Sequence, residues 1–481
     1  MNPGLDSASS LARALREGAV SSAEIVELHL ERIRRFNPAL NAVVTLDEKG
    51  ARLRAAEADR ALAAGTPLGP LHGVPITIKD AFETAGLRTT GGYPPFADNV
   101  PERDAPVVAR LRSAGAIILG KTNLPPLASG NQTVNAIFGR TNNPWNLACT
   151  PGGSSGGSAV AIAAGLSALE LGSDVGGSIR GPAHLCGVYG LKTTGGRLPL
   201  AGNIASASRK QPAPGPFWDV MSQFPTYGPL ARSVPDLRLA LRVLDGAAPG
   251  ETGQRSAASL RIAWTDDVGG HPIDPEIRRA MAGVASSLAA AGARVERHAS
   301  PGFDWTAAWD ATGRCIGAFE TQRNPRSKQW LFKLAGALLA RAMGNGPVVR
   351  AFFAGARMDE RTLAPVFEHR LELIAAVDGF LEDWDVWMCP AMPVAAYPHS
   401  RPARTMVVAG HAIAESFMDL TFSGPFNLTG HPAVVVPVAL TAAGLPVGAQ
   451  LVGRRNGEAA LLDAAEAVDR IVGGYRQPPG Y

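Results

Sequence analysis

The stretch Pro151–Pro199, PGGSSGGSAVAIAAGLSALELGSDVGGSIRGPAHLCGVYGLKTTGGRLP, narrows what this chain can build more than any other segment. It holds two Gly/Ser clusters, Gly152-Gly153-Ser154-Ser155-Gly156-Gly157 and Asp174-Val175-Gly176-Gly177-Ser178, joined by an apolar run. Glycine at this density belongs where backbone approaches backbone or a ligand closely, because it has no Cβ and enters positive φ without penalty. The serines among them are presented to whatever docks there.

At 481 residues the chain could form several average domains or one large α/β domain, since length is a soft guide. A hydrophobic fraction of 46% and a charged fraction of 18% supply a sizeable core and exclude disorder. The 46 basic and 42 acidic side chains leave +4, scattered along the chain, so no basic patch argues for nucleic acid. Cys149, Cys186, Cys315 and Cys389 lie far apart without a C-x-x-C pair or a neighbouring histidine, which predicts buried free thiols and no metal site. The segment MNPGLDSASSLARALREG lacks a secretory apolar core, and no uncharged run nears the ~18–20 residues of a membrane span. The expected compartment is the cytoplasm.

Ser21 and Glu24 have capping-box spacing, and Val26, Leu30 and Ile33 follow at helical intervals, which predicts a helix. Residues 47–64 predict another. Gly73–Asp80 is a short β-branched run closed by two charges, a buried strand with Lys79 at its end. Residues 104–121 pass from helix through Gly115 into strand, and 274–298 do the same through Gly292, as the αβ halves of a parallel, doubly wound sheet. Ser158–Gly165 reads as a helix and Ala168–Leu171 as the next strand. Loops at the carboxyl ends of such strands are where open α/β sheets bind ligands. Residues 246–260 read as a loop within one fold, and residues 302–360 as a helical, aromatic-rich insert with Trp305, Trp309, Phe319, Trp330, Phe332, Phe352 and Phe353. Ala433–Val438 and Val447–Val452 predict a hairpin around Gly444, and Glu458–Val472 a closing helix.

Serine attacks only after something removes its proton, and histidine is the usual partner. His72 and His184 lie near the glycine clusters, but neither has a motif that would orient it as a base. Lys79 is the other candidate, because a strand-end lysine facing a pocket loses charge by desolvation. Bringing it from about 10.4 to near 7 costs about 4–5 kcal/mol, which a dry pocket and a serine relay must sustain. Gly152-x-Ser154-x-Gly156 also satisfies the G-x-S-x-G elbow of an α/β-hydrolase, but that turn needs a strand directly before it, and Ala148-Cys149-Thr150-Pro151 is not one.

Taken together, Gly152–Pro199, Ile78-Lys79-Asp80, Gly120-Lys121-Thr122-Asn123 and Asn143-Pro144-Trp145 resemble, in order, the recurrent segments of the amidase signature family. Residues 65–200 match densely and residues 302–410 hardly at all. The resemblance implies a three-layer α/β/α fold on a large mixed, mostly parallel twisted sheet. It further implies one amidase domain over 1–481, with the signature core at 65–200 and a variable helical cap for substrate binding at 302–410. The implied reaction hydrolyses a C–N amide bond to a carboxylic acid plus ammonia or amine, with no cofactor and no metal. By the same resemblance Ser178 is the nucleophile, Lys79 the base, and Ser154 the relay between them, preceded by a cis peptide bond. Backbone N–H groups of Val175, Gly176, Gly177 and Ser178 would form the oxyanion hole. Asp174 and Arg180 are expected to lock the loop as a charge-assisted pair, and Ser155 either to assist catalysis or to tie the loop. Val175, Gly181 and His184 depart from the common family pattern, which weakens assignment to a subfamily.

A rival reading uses the same triad: the glutaminase subunit of a tRNA-dependent amidotransferase. The residues after Arg197, the 203–227 insert and the divergent 302–410 region favour a stand-alone amidase acting on a small-molecule amide, with no direct nucleic-acid contact. A homodimer is compatible with the sequence. Asp419 and Asn427 either line the far wall of the site or shape turns, while Cys149 and Cys186 pack in the core. Lys328–Met343 is amphipathic and carries Lys328, Lys333 and Arg341. Core packing is its first reading, a cap over the pocket its second, and a membrane contact its last.

Overall fold

The structure is a computed structural model that describes residues 6–66, 69–204, 216–246, 255–298, 302–323, 326–400 and 404–481. Among these, eleven strands form one sheet: β1 (Val43–Leu46), β2 (Pro75–Lys79), β3 (Ile117–Thr122), β4 (Leu169–Asp174), β5 (Tyr189–Lys192), β6 (Thr226–Ala231), β7 (Arg261–Trp264), β8 (Arg294–Arg297), β9 (Val386–Pro390), β10 (Ala433–Leu440) and β11 (Pro446–Val452). They lie in the order β1-β3-β2-β4-β6-β5-β10-β11-β9-β7-β8.

The sheet is mixed, as expected, but it is not mostly parallel. Parallel pairing is confined to two flanks, β3-β2-β4 and β9-β7-β8. The other six neighbour pairs are antiparallel. The reason lies in the connections. The helices Pro106–Ser113 and Pro275–Ala290 return the chain in the same direction, so β3 and β8 run parallel to β2 and β7. Residues 441–445 instead close β10 and β11 as a hairpin, with Gly444 at φ 74.

Helices cover both faces, and side-chain alternation sorts the strands between two cores. Ile118 of β3 enters a core with the helices Ala8–Arg16, Val234–Asp245 and Glu458–Val472. Ile117 and Leu119 enter the opposite core, with the helices Ser22–Leu40 and Gly156–Ala163. The first of those two helices carries the full Ser21–Glu24 capping box. Along β2, Ile76 and Ile78 belong to the first core, which places Thr77 and Lys79 on the other face.

The divergent region is helical through Trp305–Arg323, Arg326–Ala342, Pro347–Gly355 and Glu360–Asp383. It does not continue as a cap to residue 410. Val386–Pro390 is an apolar run buried along its length, and it pairs with β7 and β11 inside the main sheet. Trp305, Trp309, Phe319 and Phe353 are core residues. Trp330, Leu334 and Leu338 instead stand 66%, 61% and 70% exposed on one stripe of the helix Arg326–Ala342, so core packing does not hold for them. Residues 205–215 of the 203–227 insert, residues 247–254 of the 246–260 loop and the Phe332 side chain lie outside the described residues.

Candidate active site

Strand β4 ends at Asp174, and the chain turns through Val175–Ser178 into the helix Arg180–Cys186. Asp174 Oδ1 accepts the Gly177 N–H at 2.8 Å, and Oδ2 accepts that of Ile179 at 3.0 Å. Arg180 closes on the same carboxylate from Nε at 3.1 Å and Nη2 at 2.9 Å, with both side chains fully buried. The guanidinium also donates to the Ser423 carbonyl at 2.9 Å, to Gln450 Oε1 at 2.7 Å and to Asn427 Oδ1. Asn427 Nδ2 in turn donates to the Asp174 carbonyl at 3.2 Å. Burial alone would push the Asp174 carboxyl up, but the Arg180 charge and the backbone donors outweigh it and hold it well below the usual carboxylate range. The expected Asp174–Arg180 lock is present, and Asn427 belongs to it.

This lock revises the expected oxyanion donors. The Gly177 N–H is spent on Asp174, so Gly177 does not supply a donor in this conformation. The N–H groups of Val175, Gly176 and Ser178 have no hydrogen-bond partner among the described residues. Gly177 has its own reason to be glycine: its φ is +126, and a Cβ there would stand 2.8 Å from Asp419 Cβ.

The first Gly/Ser cluster meets the second through the Ser155 N–H, which donates to the Ser178 carbonyl at 3.1 Å. The Gly153–Ser154 peptide bond is cis. Lys79, fully buried at the end of β2, donates from Nζ to Ser154 Oγ at 2.7 Å, Ser155 Oγ at 2.9 Å and Ser173 Oγ at 3.0 Å. The Ser173 carbonyl is a more distant fourth neighbour at 3.5 Å. Desolvation lowers the Lys79 ammonium to about 7, against the smaller opposing pull of Asp174 and Glu170.

Desolvation lowers two other buried lysines as well, Lys121 to about 8 and Lys192 to about 7, so what sets Lys79 apart is its partners. Lys121 donates to the Phe82 carbonyl and to two threonine hydroxyls, and Lys192 to the carbonyls of Thr193 and His431. A carbonyl only accepts, so it favours the ammonium. A hydroxyl can also donate, so it serves the neutral amine equally well. Lys79 has three hydroxyls as its near neighbours. A neutral amine there can donate to two of them and accept a hydrogen bond from the third.

A sequence model of the family described as Amidase matches residues 24–462. The chain is 34% identical over 487 residues to an acylamidase of Rhodococcus erythropolis, covering 97% of this chain and 95% of that one. It is also 34% identical over 497 residues to one component of a glutamyl-tRNA(Gln) amidotransferase of a Synechococcus strain, covering 97% and 96%. The chain belongs to the amidase family. Its fold is similar to that of a bacterial aryl acylamidase of the amidase signature enzymes, with a TM-score of 0.80 and 26% identity over 97% of this chain and 96% of that one.

In this amidase the structure brings Lys79, Ser154 and Ser155 together, and Ser178 adjoins them through its backbone. Ser178 is partly exposed, between Gly177 and Ile179, which are both buried. Its hydroxyl has no hydrogen-bond partner among the described residues. Ser155 contacts the lysine and ties the loop by donating to the Ser173 carbonyl at 3.2 Å.

Neither nearby histidine is a base for these serines. His72 Nε2 pairs with the Ala58 carbonyl, while both ring nitrogens of His184 are engaged by Gly448 and the Val394 carbonyl. Burial raises the thiols of Cys149 and Cys186, so both stay protonated and act as core residues. Asp419 is 5% exposed and lies against the Val175–Ser178 loop, with Oδ1 unpartnered and 2.9 Å from where a Gly181 Cβ would stand. Desolvation, reinforced by Asp174, raises its carboxyl well above the usual range. The departure at Gly181 thus makes room for Asp419.

Sequence reasoning missed Ser173 and Glu170. Ser173 is hidden by its place beside the more conspicuous Asp174. Glu170 had a signal, a lone acid between leucines in a buried strand. Its Oε1 accepts from Thr122 Oγ1 at 2.8 Å and Ser158 Oγ at 3.0 Å, and its Oε2 from Thr77 Oγ1. Among the described residues no cluster of three or more His, Cys, Asp or Glu side chains could hold a metal ion, and no helix is long and apolar enough to cross a membrane.

Proposed function

We propose that this amidase is a stand-alone hydrolase that forms an acyl-enzyme on Ser178, with Lys79 as the base acting through Ser154. The observation that carries the reading is the buried Lys79 amine ringed by the hydroxyls of Ser154, Ser155 and Ser173. As the Ser178 oxygen attacks the amide carbonyl, its proton passes to Ser154 and the Ser154 proton to Nζ. The ammonium then returns a proton to the departing nitrogen, and water repeats the cycle on the ester. The unpartnered N–H groups of Val175, Gly176 and Ser178 are the donors for the oxyanion.

An apolar or aryl group on the substrate is supported by what borders the loop. Val175 and Leu420 pack against the cluster that holds Trp305, Trp309 and Phe422. The helix Met418–Phe422 adjoins the loop through Asp419 and Leu420 and lends Met418 and Thr421 to a cavity of about 220 Å³ also lined by Trp309, Val348 and Phe417. Replacing Ser178 by alanine should abolish turnover and covalent labelling by a fluorophosphonate. Full labelling of that variant would sink the assignment. Lys79→Ala should lose most activity and recover part of it at high pH, where hydroxide replaces the base.

The amidotransferase reading is the second, because the amidotransferase relative is as similar in sequence as the acylamidase. Release of ammonia or amine by the purified chain from a panel of primary, aryl and fatty amides would support the stand-alone enzyme. Glutaminase activity that requires charged tRNA together with a partner protein would overturn it.

A further inference from the structure

We propose that Glu170 is a positioning residue that holds a negative charge beside the Lys79 amine and thereby sets the acidic limit of Ser178 acylation. The inference rests on the Ser178–Ser154–Lys79 reading given above. Thr77 of β2 and Glu170 of β4 are register partners, so the glutamate side chain leaves the sheet on the face that carries Lys79. Its flanking residues Leu169 and Leu171 enter the opposite, apolar core. Glu170 itself is 1% exposed, and among the described residues it makes no ion pair. An acid in this place adds nothing to packing that an apolar residue would not.

Three hydroxyls converge on it instead, from Thr77, Thr122 and Ser158. Three donors on two oxygens favour the carboxylate over the acid. The donors come from three elements: Thr77 from the strand of the base, Thr122 from β3, and Ser158 from the helix that follows the relay serine. The carboxylate therefore ties the base to the relay loop while leaving the amine free of a direct salt bridge. A direct pair would hold Lys79 permanently as an ammonium. A charge one layer away steadies the ammonium without abolishing the amine.

Other charged groups surround this layer. Lys121 on β3 also acts on Glu170 and is itself faced by Asp80, Asp104 and Glu83. Asp174, at the end of the glutamate's own strand, acts on Lys79 but is already matched by Arg180. The helix Gly156–Ala163 brings no charged side chain. During acylation Lys79 passes from amine to ammonium and back, and a carboxylate charge on Glu170 favours the ammonium form. Burial outweighs the hydroxyl donors and Lys121, which lower the glutamate, and leaves its carboxyl at about 7, so the negative charge is present in full only above that pH.

The test is the pH dependence of Ser178 labelling by a fluorophosphonate, in which the serine oxygen bonds phosphorus and fluoride leaves. The rate is followed from pH 5 to 9 in wild type, Glu170→Gln, Glu170→Asp and Thr122→Val. Removing the charge disfavours the ammonium, so the acidic midpoint should move down in Glu170→Gln by about 0.5–1 pH unit. Thr122→Val withdraws one donor from the carboxylate and should move the midpoint the same way by less; it carries the test if the glutamine variant does not fold. Glu170→Asp keeps the charge and should keep the wild-type midpoint. A lower plateau rate with an unmoved midpoint, or an upward shift, overturns the proposal. Wild type labelled elsewhere than at Ser178 removes the active-site reading instead, and this inference with it.

Discussion

Replacing Lys79 by methionine tests the neutral buried amine through stability as well as activity. Burial brings this lysine from 10.5 to about 7. Between those values the unfolded chain binds more protons at this position than the folded one, so folding stability rises with pH through the window. Below about pH 7 both states are protonated and the penalty stays at its full size, about 5 kcal/mol, while above the unfolded value it vanishes. The same relation gives about 4 kcal/mol at pH 7 and about 2 kcal/mol at pH 9. Methionine carries no such penalty, but it deprives the hydroxyls of Ser154, Ser155 and Ser173 of a partner, at about 1 kcal/mol each. The two proteins should therefore differ little at pH 7, and wild type should gain on the variant by about 2 kcal/mol by pH 9. Urea titrations of both proteins at the two pH values measure that change directly. A difference that is the same at pH 7 and pH 9 refutes a lysine held neutral by burial.

Arg180→Met leaves Asp174 as an uncompensated buried charge and should cost about 3–5 kcal/mol in urea unfolding; a loss below about 1 kcal/mol would contradict the lock. Gly177→Ala places a Cβ at φ +126 and 2.8 Å from Asp419 Cβ, so stability should drop by about 1–3 kcal/mol and turnover with it, read by thermal melting and steady-state kinetics. Trp330→Ser removes a ring that is 66% exposed and should change stability by no more than about 0.5 kcal/mol. All four cysteines are buried, and a disulfide reagent such as dithionitrobenzoate should titrate none of them until urea is added.

The candidate site was legible from the combination of its residues, since a strand-end lysine or a glycine-rich cluster alone is more often structural. A lysine ending a β-branched strand and two glycine-rich clusters with serines announce chemistry before any coordinate is known. Helix-to-strand transitions at Gly115 and Gly292 were legible for a local reason, since each glycine stops a helix at positive φ. The sheet's antiparallel centre was not, because it is decided by which distant strands meet, and no window of sequence contains β5, β6 and β10 together. The four expected oxyanion donors came from the family resemblance, and only the fold reveals that one N–H already belongs to Asp174. The helix Arg326–Ala342 was misjudged for a similar reason: amphipathicity marks an apolar stripe without saying whether anything covers it.

The Arg180 lock has a consequence for the order of events on the ribosome. Its partners Ser423, Asn427 and Gln450 are 243, 247 and 270 residues further along the chain. At about 5–20 residues per second, the last of them is synthesised roughly 15–50 s after the arginine. Until then the nascent nucleophile loop has its own aspartate but not the groups that immobilise the guanidinium. The emerging chain thus carries Lys79, Ser154 and Ser178 well before these partners of Arg180 exist. The loop can be locked only late in translation, when the chain is nearly all made.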